Sequence, residues 1–256
     1  MDLDRPALTQ AITHLARLAG DKILTIYNQD FDVKTKSDSS PVTEADVAAE
    51  KIILDGLRAL TPDIPILAEE SAAAGDIPDL SGGVFWLVDP LDGTKEFVHK
   101  RGEFTVNIAL VEHGKPTMGV IHVPAKNISY FAEGPGKAWR QDGDDNARPI
   151  TTRAVPEAGF TVVASRSHRT PETDDYIEKF NVAELISAGS SLKLCLVAEG
   201  AADLYPRFGR TMEWDIGAGQ AILEAAGGCV ETVDGTPLLY GKDGHDNPYF
   251  IAKGQL

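Results

Sequence analysis

The chain has 256 residues, with 24 Lys+Arg against 39 Asp+Glu and a formal net charge of −15. A hydrophobic share of 43% and a charged share of 25% exclude a disordered chain, and the length suits one large domain or two closely packed lobes. The acidic balance excludes a nucleic acid polymer as principal partner, which would need a basic face, and leaves hard divalent cations or a solvated acidic surface.

Leu8, Ile12, Leu15, Leu18, Ala19, Ile23 and Ile26 recur at three- and four-residue intervals, which predicts an amphipathic helix. The polar segment KTKSDSSPVT interrupts it, with Pro41 as a breaker and Thr43 as the N-cap of a second helix. That helix runs to about Leu60 through Val47, Ile52, Ile53 and Leu57. Ile64 to Leu67 reads as a short strand ending at Glu69 and Glu70, and Val84 to Asp89 as a buried strand stopped by Pro90. TVNIALVEHGKPTMGVIHV reads as two strands joined by a turn at 113–116, and ISYFAE as a third. Pro, Gly, Asp and Asn gather between Glu133 and Pro149, marking a junction between a lobe of residues 1–145 and a lobe of residues 146–256. The second half alternates: strand FTVVAS, a helix from Pro171, a short strand, a helix from Ser190, strand ADLYPR, a helix from Asp215 and strand CVETV. Mixed elements in both halves indicate a layered α/β protein.

Two cysteines, Cys195 and Cys229, sit in apolar stretches, too few for a disulfide framework or a zinc quartet, so buried thiols in a reducing, cytoplasmic setting are expected. No apolar run approaches the ~20 residues a bilayer span needs. The acidic opening MDLDRPALTQ is no secretory signal. Weak peripheral attachment to the inner membrane and the oligomeric state stay open.

The chemistry concentrates in Asp89-Pro90-Leu91-Asp92-Gly93-Thr94. A strand delivers Asp89 to its edge, and a tight turn aims Asp92 at the same point, with the Leu91 carbonyl as a third oxygen. Oxygen-only donors are what Mg²⁺ or Mn²⁺ prefers. Gly93 and Thr94 open a helix whose free N–H groups favour phosphate. Alone, this is also a plain capped turn. Glu69 in LAEES, Asp46 in PVTEAD and Asp215 in MEWDIGAGQ each have an equally plain structural role when taken singly.

Together, LAEES, DPLDGT and EWDIGAGQAILEAAGG resemble the inositol monophosphatase superfamily of Mg²⁺-dependent, lithium-sensitive phosphatases, over essentially the whole chain. The resemblance implies a five-layer α/β/α/β/α sandwich of the inositol monophosphatase and fructose-1,6-bisphosphatase type. It also implies a cluster of two or three Mg²⁺ held by Glu69, Asp89, the Leu91 carbonyl, Asp92 and Asp215, with Mn²⁺ as a substitute and Li⁺ as an inhibitor.

DGTKEF, GEFTVNIAL, GSSLK and TMEWD are similar to the CysQ-type 3′(2′),5′-bisphosphate nucleotidase branch, which removes the 3′-phosphate of adenosine 3′,5′-bisphosphate and clears that by-product of sulfate assimilation. A doubly phosphorylated substrate needs donors beyond the metal site. The two hydroxyls, N–H groups and ammonium of GSSLK supply them, as do Ser165 to His168 and Tyr205 to Arg207. The expected substrate contacts are Gly93, Thr94, Lys95, His168, Ser190, Lys193, Arg207 and Asp215. The expected catalytic group is Glu69 with Thr94, hydrogen-bonded to Asp46, for in-line hydrolysis without a covalent intermediate. Arg210, Ile216 and Gly217 depart from the family pattern; Gly217 lowers helix propensity by about 0.5–1 kcal/mol. Rival readings are an inositol- or sugar-phosphate phosphatase, and a non-catalytic metal-dependent regulatory protein.

Overall fold

The computed structural model describes residues 4–29, 33–35 and 41–255. Helix α1 (Arg5–Tyr27) is capped by Asp4, whose carboxylate accepts the Ala7 N–H at 3.2 Å. Strands β1 (Val33–Thr35) and β2 (Pro41–Thr43) pair antiparallel. Pro41 therefore opens a strand rather than merely breaking a helix, and residues 36–40 of that polar segment lie outside the described residues. Helix α2 (Glu44–Leu60) starts at a capping box, in which Thr43 N–H donates to Asp46 at 2.7 Å and Thr43 Oγ1 accepts from Ala45 N–H at 3.1 Å.

The next elements are β3 (Ile66–Ala68), α3 (Glu69–Ala73), β4 (Val84–Asp92), α4 (Thr94–Val98), β5 (Thr105–Glu112), β6 (Lys115–Val123), β7 (Ile128–Gly134), β8 (Lys137–Asp142) and β9 (Arg148–Pro149). The strands β3 to β9 form one seven-stranded sheet in sequence order, parallel at β3–β4 and antiparallel elsewhere. There follow β10 (Phe160–Ser165), α5 (Pro171–Ile177), β11 (Val182–Ala188), α6 (Leu192–Ala198), β12 (Leu204–Arg207), α7 (Glu213–Ala225), β13 (Cys229–Thr232) and β14 (Phe250–Lys253). Their strands form a five-stranded sheet, β11-β10-β12-β14-β13.

Three hydrophobic clusters join these parts into five layers. Ile12, Ile23, Ile53 and Leu57 of α1 and α2 pack against Trp86, Ile108 and Val120 on one face of the large sheet. Leu194 and Ile222 of α6 and α7 fill the space between its other face, at Leu87, Ala109 and Ile121, and the smaller sheet at Val163, Tyr205 and Ala252. Ile177 of α5 covers the outer face at Val162, Leu204 and Ile251. This is the expected α/β/α/β/α sandwich.

Several local expectations are corrected. Leu18, Val47 and Leu60 are 42%, 58% and 42% exposed, because the helices bury a narrower stripe than their apolar residues suggest. The strand β4 does not stop at Pro90 but continues to Asp92 through an irregularity between Asp89 and Asp92, a position where a proline withholds no needed N–H. Glu69 opens α3 instead of ending a strand, and α7 begins at Glu213, making Asp215 its third residue. The helix expected from Ser190 starts at Leu192. Residues 137–149 form β8 and β9 of the large sheet, so the crossing to the smaller sheet falls between Pro149 and Phe160. Cys195 is buried, but Cys229 is only half-buried. Strand β14, which no sequence pattern announced, completes the small sheet.

A row of small residues across the sheet sets the seat of α7. Ala109, Gly119, Ala132 and Ala138 pair laterally on four adjacent strands. A Cβ at Gly119 would lie 2.5 Å from the Ala218 carbonyl oxygen, and one at Gly217 would lie 2.8 Å from a Leu87 methyl. Gly217 thus gives up helix propensity for close packing of the helix that carries Asp215. Gly119→Ala should cost about 2–3 kcal/mol in urea denaturation. Gly217→Ala should cost less, since its clash is with a side chain and it gains up to ~1 kcal/mol of propensity. An unchanged urea midpoint for Gly119→Ala would contradict the close approach.

Candidate active site

A cavity of about 910 Å³ opens between the two sheets, and every expected site residue except Asp46, Asp89 and Leu91 lines it. One wall is acidic. Strand β4 brings Asp89, Leu91 and Asp92 to its end, α3 contributes Glu69, and α7 contributes Asp215. Asp89 is fully buried and is held by the Leu91 N–H, which donates to it at 3.0 Å. Burial, then the negative charges of Glu69, Asp92 and Asp215, push the Asp89 carboxyl far above the ordinary range, and it shares a hydrogen bond with Glu69. Asp215 is raised well above the ordinary range by burial and by Asp92 and Glu69, although it caps its own helix by accepting the Met212 N–H at 2.9 Å. Burial raises Asp92 to about 6, opposed by the Lys193 ammonium and by the Ser191 N–H, which donates to it at 2.5 Å.

Among the described residues, no three His, Cys, Asp or Glu side chains already stand as a metal cage; the shared hydrogen bond between Glu69 and Asp89 ties two of the acids to each other instead. The donor set nevertheless fits a hard divalent cation. It is all oxygen, it is crowded at one point, and its members repel one another in the absence of a counter-charge.

Thr94 begins α4 directly after Gly93, whose backbone is left-handed at φ +87°. A Cβ there would come within 3.1 Å of Ser190 Cβ and 3.3 Å of the Glu103 carbonyl oxygen, so this turn admits only glycine without displacement. The Thr94 hydroxyl lies 3.5 Å from Asp46 Oδ1 and 3.4 Å from the Leu91 carbonyl oxygen, at the outer edge of hydrogen bonding. Asp46 is buried and also accepts from both the amide and the hydroxyl of Thr43.

The opposite wall is cationic. Lys193 is buried, donates to the Ser190 carbonyl, and lies over the Tyr205 ring at 5.3 Å; burial lowers it to about 8 against the attraction of Asp92. Arg207 is 8% exposed and donates to the carbonyls of His168 and Arg210 at 3.4 and 3.1 Å, while its Nε has no partner among the described residues. His168 accepts from the Lys95 ammonium at 3.0 Å and is held down at about 4 by desolvation, Arg207 and Lys95, so it is neutral at pH 7.

Two of the expected donors have their side chains committed to other partners. Ser191 hydrogen-bonds Asn107 and Thr105 inside the core, both at 2.8 Å, and Arg166 pairs with Glu103 at 2.6 Å. Arg210 lines the cavity but bonds Asp246 at 2.7 Å, and Ile216 adds an apolar surface. Sequence reasoning missed Trp214, Met212 and His245 on the rim. It also missed Glu50, buried on α2, which accepts the Glu70 N–H at 2.7 Å and the Ser71 N–H and hydroxyl at 2.9 and 2.6 Å. Its spacing from Asp46, one helical turn along α2, was the available signal. This carboxylate anchors the first turn of α3 and with it Glu69. Glu50→Ala should lose about 1–3 kcal/mol of stability in a denaturant titration, since it orphans partly buried backbone donors at the start of α3; a loss below about 0.5 kcal/mol would refute the anchoring role.

A model of the inositol monophosphatase family matches residues 4–249. The 3′(2′),5′-bisphosphate nucleotidase CysQ of Escherichia coli strain K12 is 48% identical over 231 residues, covering 90% of this chain and 92% of that protein. CysQ of Haemophilus influenzae is 30% identical over 99% of this chain and 95% of its own. Among solved structures, CysQ from Bacteroides thetaiotaomicron superposes with a TM-score of 0.83 at 41% identity, covering 98% of both chains. The extragenic suppressor protein suhB from Bartonella henselae gives 0.80 at 26% identity, covering 97% of this chain and 94% of that one. With the layer order, the crowded carboxylates and these matches in agreement, the chain belongs to the inositol monophosphatase family.

Proposed function

We propose that this protein is a metal-dependent phosphomonoester hydrolase that removes the 3′-phosphate of adenosine 3′,5′-bisphosphate, leaving AMP and inorganic phosphate. The observation that carries the reading is one cavity with an acidic wall at Glu69, Asp92 and Asp215 facing a cationic wall at Lys95, Lys193 and Arg207. The first suits cations that grip the scissile phosphate, and the second suits a further phosphate on the same substrate. Identity to curated bisphosphate nucleotidases over nine-tenths of the chain supports the choice of substrate. On this reading the protein works in the cytoplasm, clearing a by-product of sulfate assimilation; among the described residues no helix is long and apolar enough to cross a membrane.

Glu69, Asp89, the Leu91 carbonyl, Asp92 and Asp215 would hold two or three Mg²⁺, with Mn²⁺ as substitute and Li⁺ as inhibitor, and bound Mg²⁺ would acidify a water and offset charge on the phosphoryl oxygens. Glu69 orients the attacking water. The Thr94 hydroxyl, set between Asp46 and the Leu91 carbonyl, positions that water's proton. The N–H groups of Gly93 and Thr94 hold phosphate oxygens in line with attack. Lys193, Arg207, Lys95 and Ser190 bind the second phosphate, and neutral His168 accepts from Lys95 and holds its ammonium in place. The segment before β10 thus supplies most of the chemistry and Lys95, while the segment from β10 onward supplies the other recognition groups and Asp215.

Phosphate release measured side by side on adenosine 3′,5′-bisphosphate, inositol 1-phosphate and a sugar phosphate, with and without EDTA, tests the reading. We expect Mg²⁺-dependent turnover with at least about tenfold preference in kcat/KM for the bisphosphate; equal or better hydrolysis of the inositol ester, or undiminished rates in EDTA, would overturn it. Asp92→Asn should abolish turnover while the circular dichroism spectrum stays native.

The raised carboxyl of Asp92 predicts a pH dependence. Its value is about 6 in the fold against an ordinary 3.8, so the folded state holds this proton more tightly. Its contribution to metal-free stability is therefore full below the ordinary value and is lost as pH rises through about 6. The Tm of wild type minus that of Asp92→Asn should fall between pH 4.5 and 7. Mg²⁺, competing with the same proton, should raise the wild-type Tm at pH 7.5 and much less at pH 5; an equal shift at both would remove the assignment.

A further inference from the structure

Glu103 lies between α4 and β5, on the large-sheet side of the cavity, yet all its bonds run to the small-sheet side. Its Oε2 accepts the Gly189 N–H at 2.9 Å and the Arg166 guanidinium at 2.6 Å, and its Oε1 accepts from the same guanidinium at 3.3 Å. Arg166 in turn donates to the Ser187 carbonyl at 2.8 Å, while its own N–H donates to the Ala188 carbonyl at 3.2 Å. One carboxylate therefore gathers the segment after β10 and the segment after β11. The backbones are in contact as well. A Cβ at Gly189 would lie 3.0 Å from the Glu103 carbonyl oxygen and 2.6 Å from the Glu96 side chain. Glu96, itself buried, accepts the Ser167 hydroxyl at 2.7 Å and completes the stitching from the same side.

These two segments carry the cationic and hydroxyl wall. Ser165, Ser167, His168, Gly189, Ser190 and Lys193 line the cavity, whereas Glu103 and Arg166 do not. Ser190 sits directly after the gripped Gly189 in a left-handed conformation, φ +47°, which a serine holds only when its surroundings over-determine it. The grip on Gly189 before it, and the bond from Ser191 to Asp92 after it, supply that constraint. By contrast, Glu69, Asp89, Asp92, Asp215 and the Thr94–Asp46 pair stand on α3, β4, α7, α4 and α2, none of which Glu103 or Arg166 bonds.

We propose that Glu103 and Arg166 form a clamp of positioning residues that fixes the wall for the second phosphate, and that the preference for a doubly phosphorylated substrate over a simple phosphomonoester depends on this clamp. The inference rests on the nucleotidase reading above and deepens it. The clamp also explains why an arginine beside His168 makes no contact with the cavity: its charge is spent on Glu103 and on the Ser187 carbonyl, and the substrate meets the wall that results.

The test compares wild type, Glu103→Gln, Arg166→Gln and the double variant on adenosine 3′,5′-bisphosphate and on p-nitrophenyl phosphate, at saturating Mg²⁺. Each single variant should raise KM for the bisphosphate about tenfold or more with kcat within about threefold, and should leave kcat/KM for p-nitrophenyl phosphate within about threefold. The double variant should be no worse than the poorer single one, because the two residues act as a unit. Glu103→Gln is isosteric, and Arg166 is an exposed position where the shorter glutamine leaves no buried void, so at least that variant should retain its thermal midpoint. Parallel losses on both substrates, additive effects, or an unchanged KM would overturn the clamp. A wild-type enzyme inert on the bisphosphate would instead retire the nucleotidase reading, and the clamp's preference with it.

Discussion

The structure depends on the crowding of like charge at the end of β4. Asp89, Asp92, Asp215 and Glu69 come from three separate elements and meet where water is scarce. Such an assembly is unfavourable by itself, because each carboxylate raises the proton affinity of the others. Its persistence needs two things: a scaffold stable enough to hold the acids together, and a counter-charge to relieve them. Part of the counter-charge is built in. Lys193 and Arg207 act on Asp92 and Asp215, and the amides of Leu91, Ser191 and Met212 donate to three of the carboxylates. The remainder is what hard cations supply in this family.

The scaffold meets the first need through close backbone contact. The row of Ala109, Gly119, Ala132 and Ala138 lets α7 lie deep on the sheet, which sets the depth of Asp215 relative to Asp89. On the other face, α2 serves two parts of the site from one helix. Asp46 in its first turn approaches Thr94, and Glu50 a turn later anchors the start of α3 beneath Glu69. Trp86, buried in β4, donates its indole N–H to Thr61 at 2.8 Å and ties the strand bearing two of the acids to the end of the same helix. Left-handed backbone occurs where these parts join, at Gly93, which adopts it freely, and at Ser190, where the neighbouring bonds enforce it.

How much of this was legible in the sequence varied with the range of the interaction. Helices α1 and α2 and the strands β5 to β7 follow from periodicity, since burial of one face imposes it. The acids at Glu69, Asp89, Asp92 and Asp215 stood out only as a set of motifs, because singly each is also a good cap or turn residue. Pro90 misled, since a proline ends a strand only if its N–H was needed, and an irregularity removes that need. The cluster between Glu133 and Pro149 is legible only as turns, which connect β7 to β8 and β8 to β9 of the large sheet. Strand β14 and the roles of Glu50 and Glu103 depend on partners distant in sequence, and apart from the helical spacing of Glu50 from Asp46 nothing local records them.

The same reasoning explains why recognition is harder to read than chemistry. The acidic wall is fixed by short motifs whose residues act at the point where they occur. The cationic wall is assembled by indirect bonds: Lys193 is placed by packing on Tyr205 and by the Ser190 carbonyl, and His168 is kept neutral by desolvation and then by Arg207 and Lys95. Changing a residue that never touches substrate can therefore move the wall that does, while leaving the carboxylates in place. On the clamp reading, substrate preference can shift through positions 103 and 166, because their side-chain bonds end on the segments after β10 and β11 and on none of the four acids.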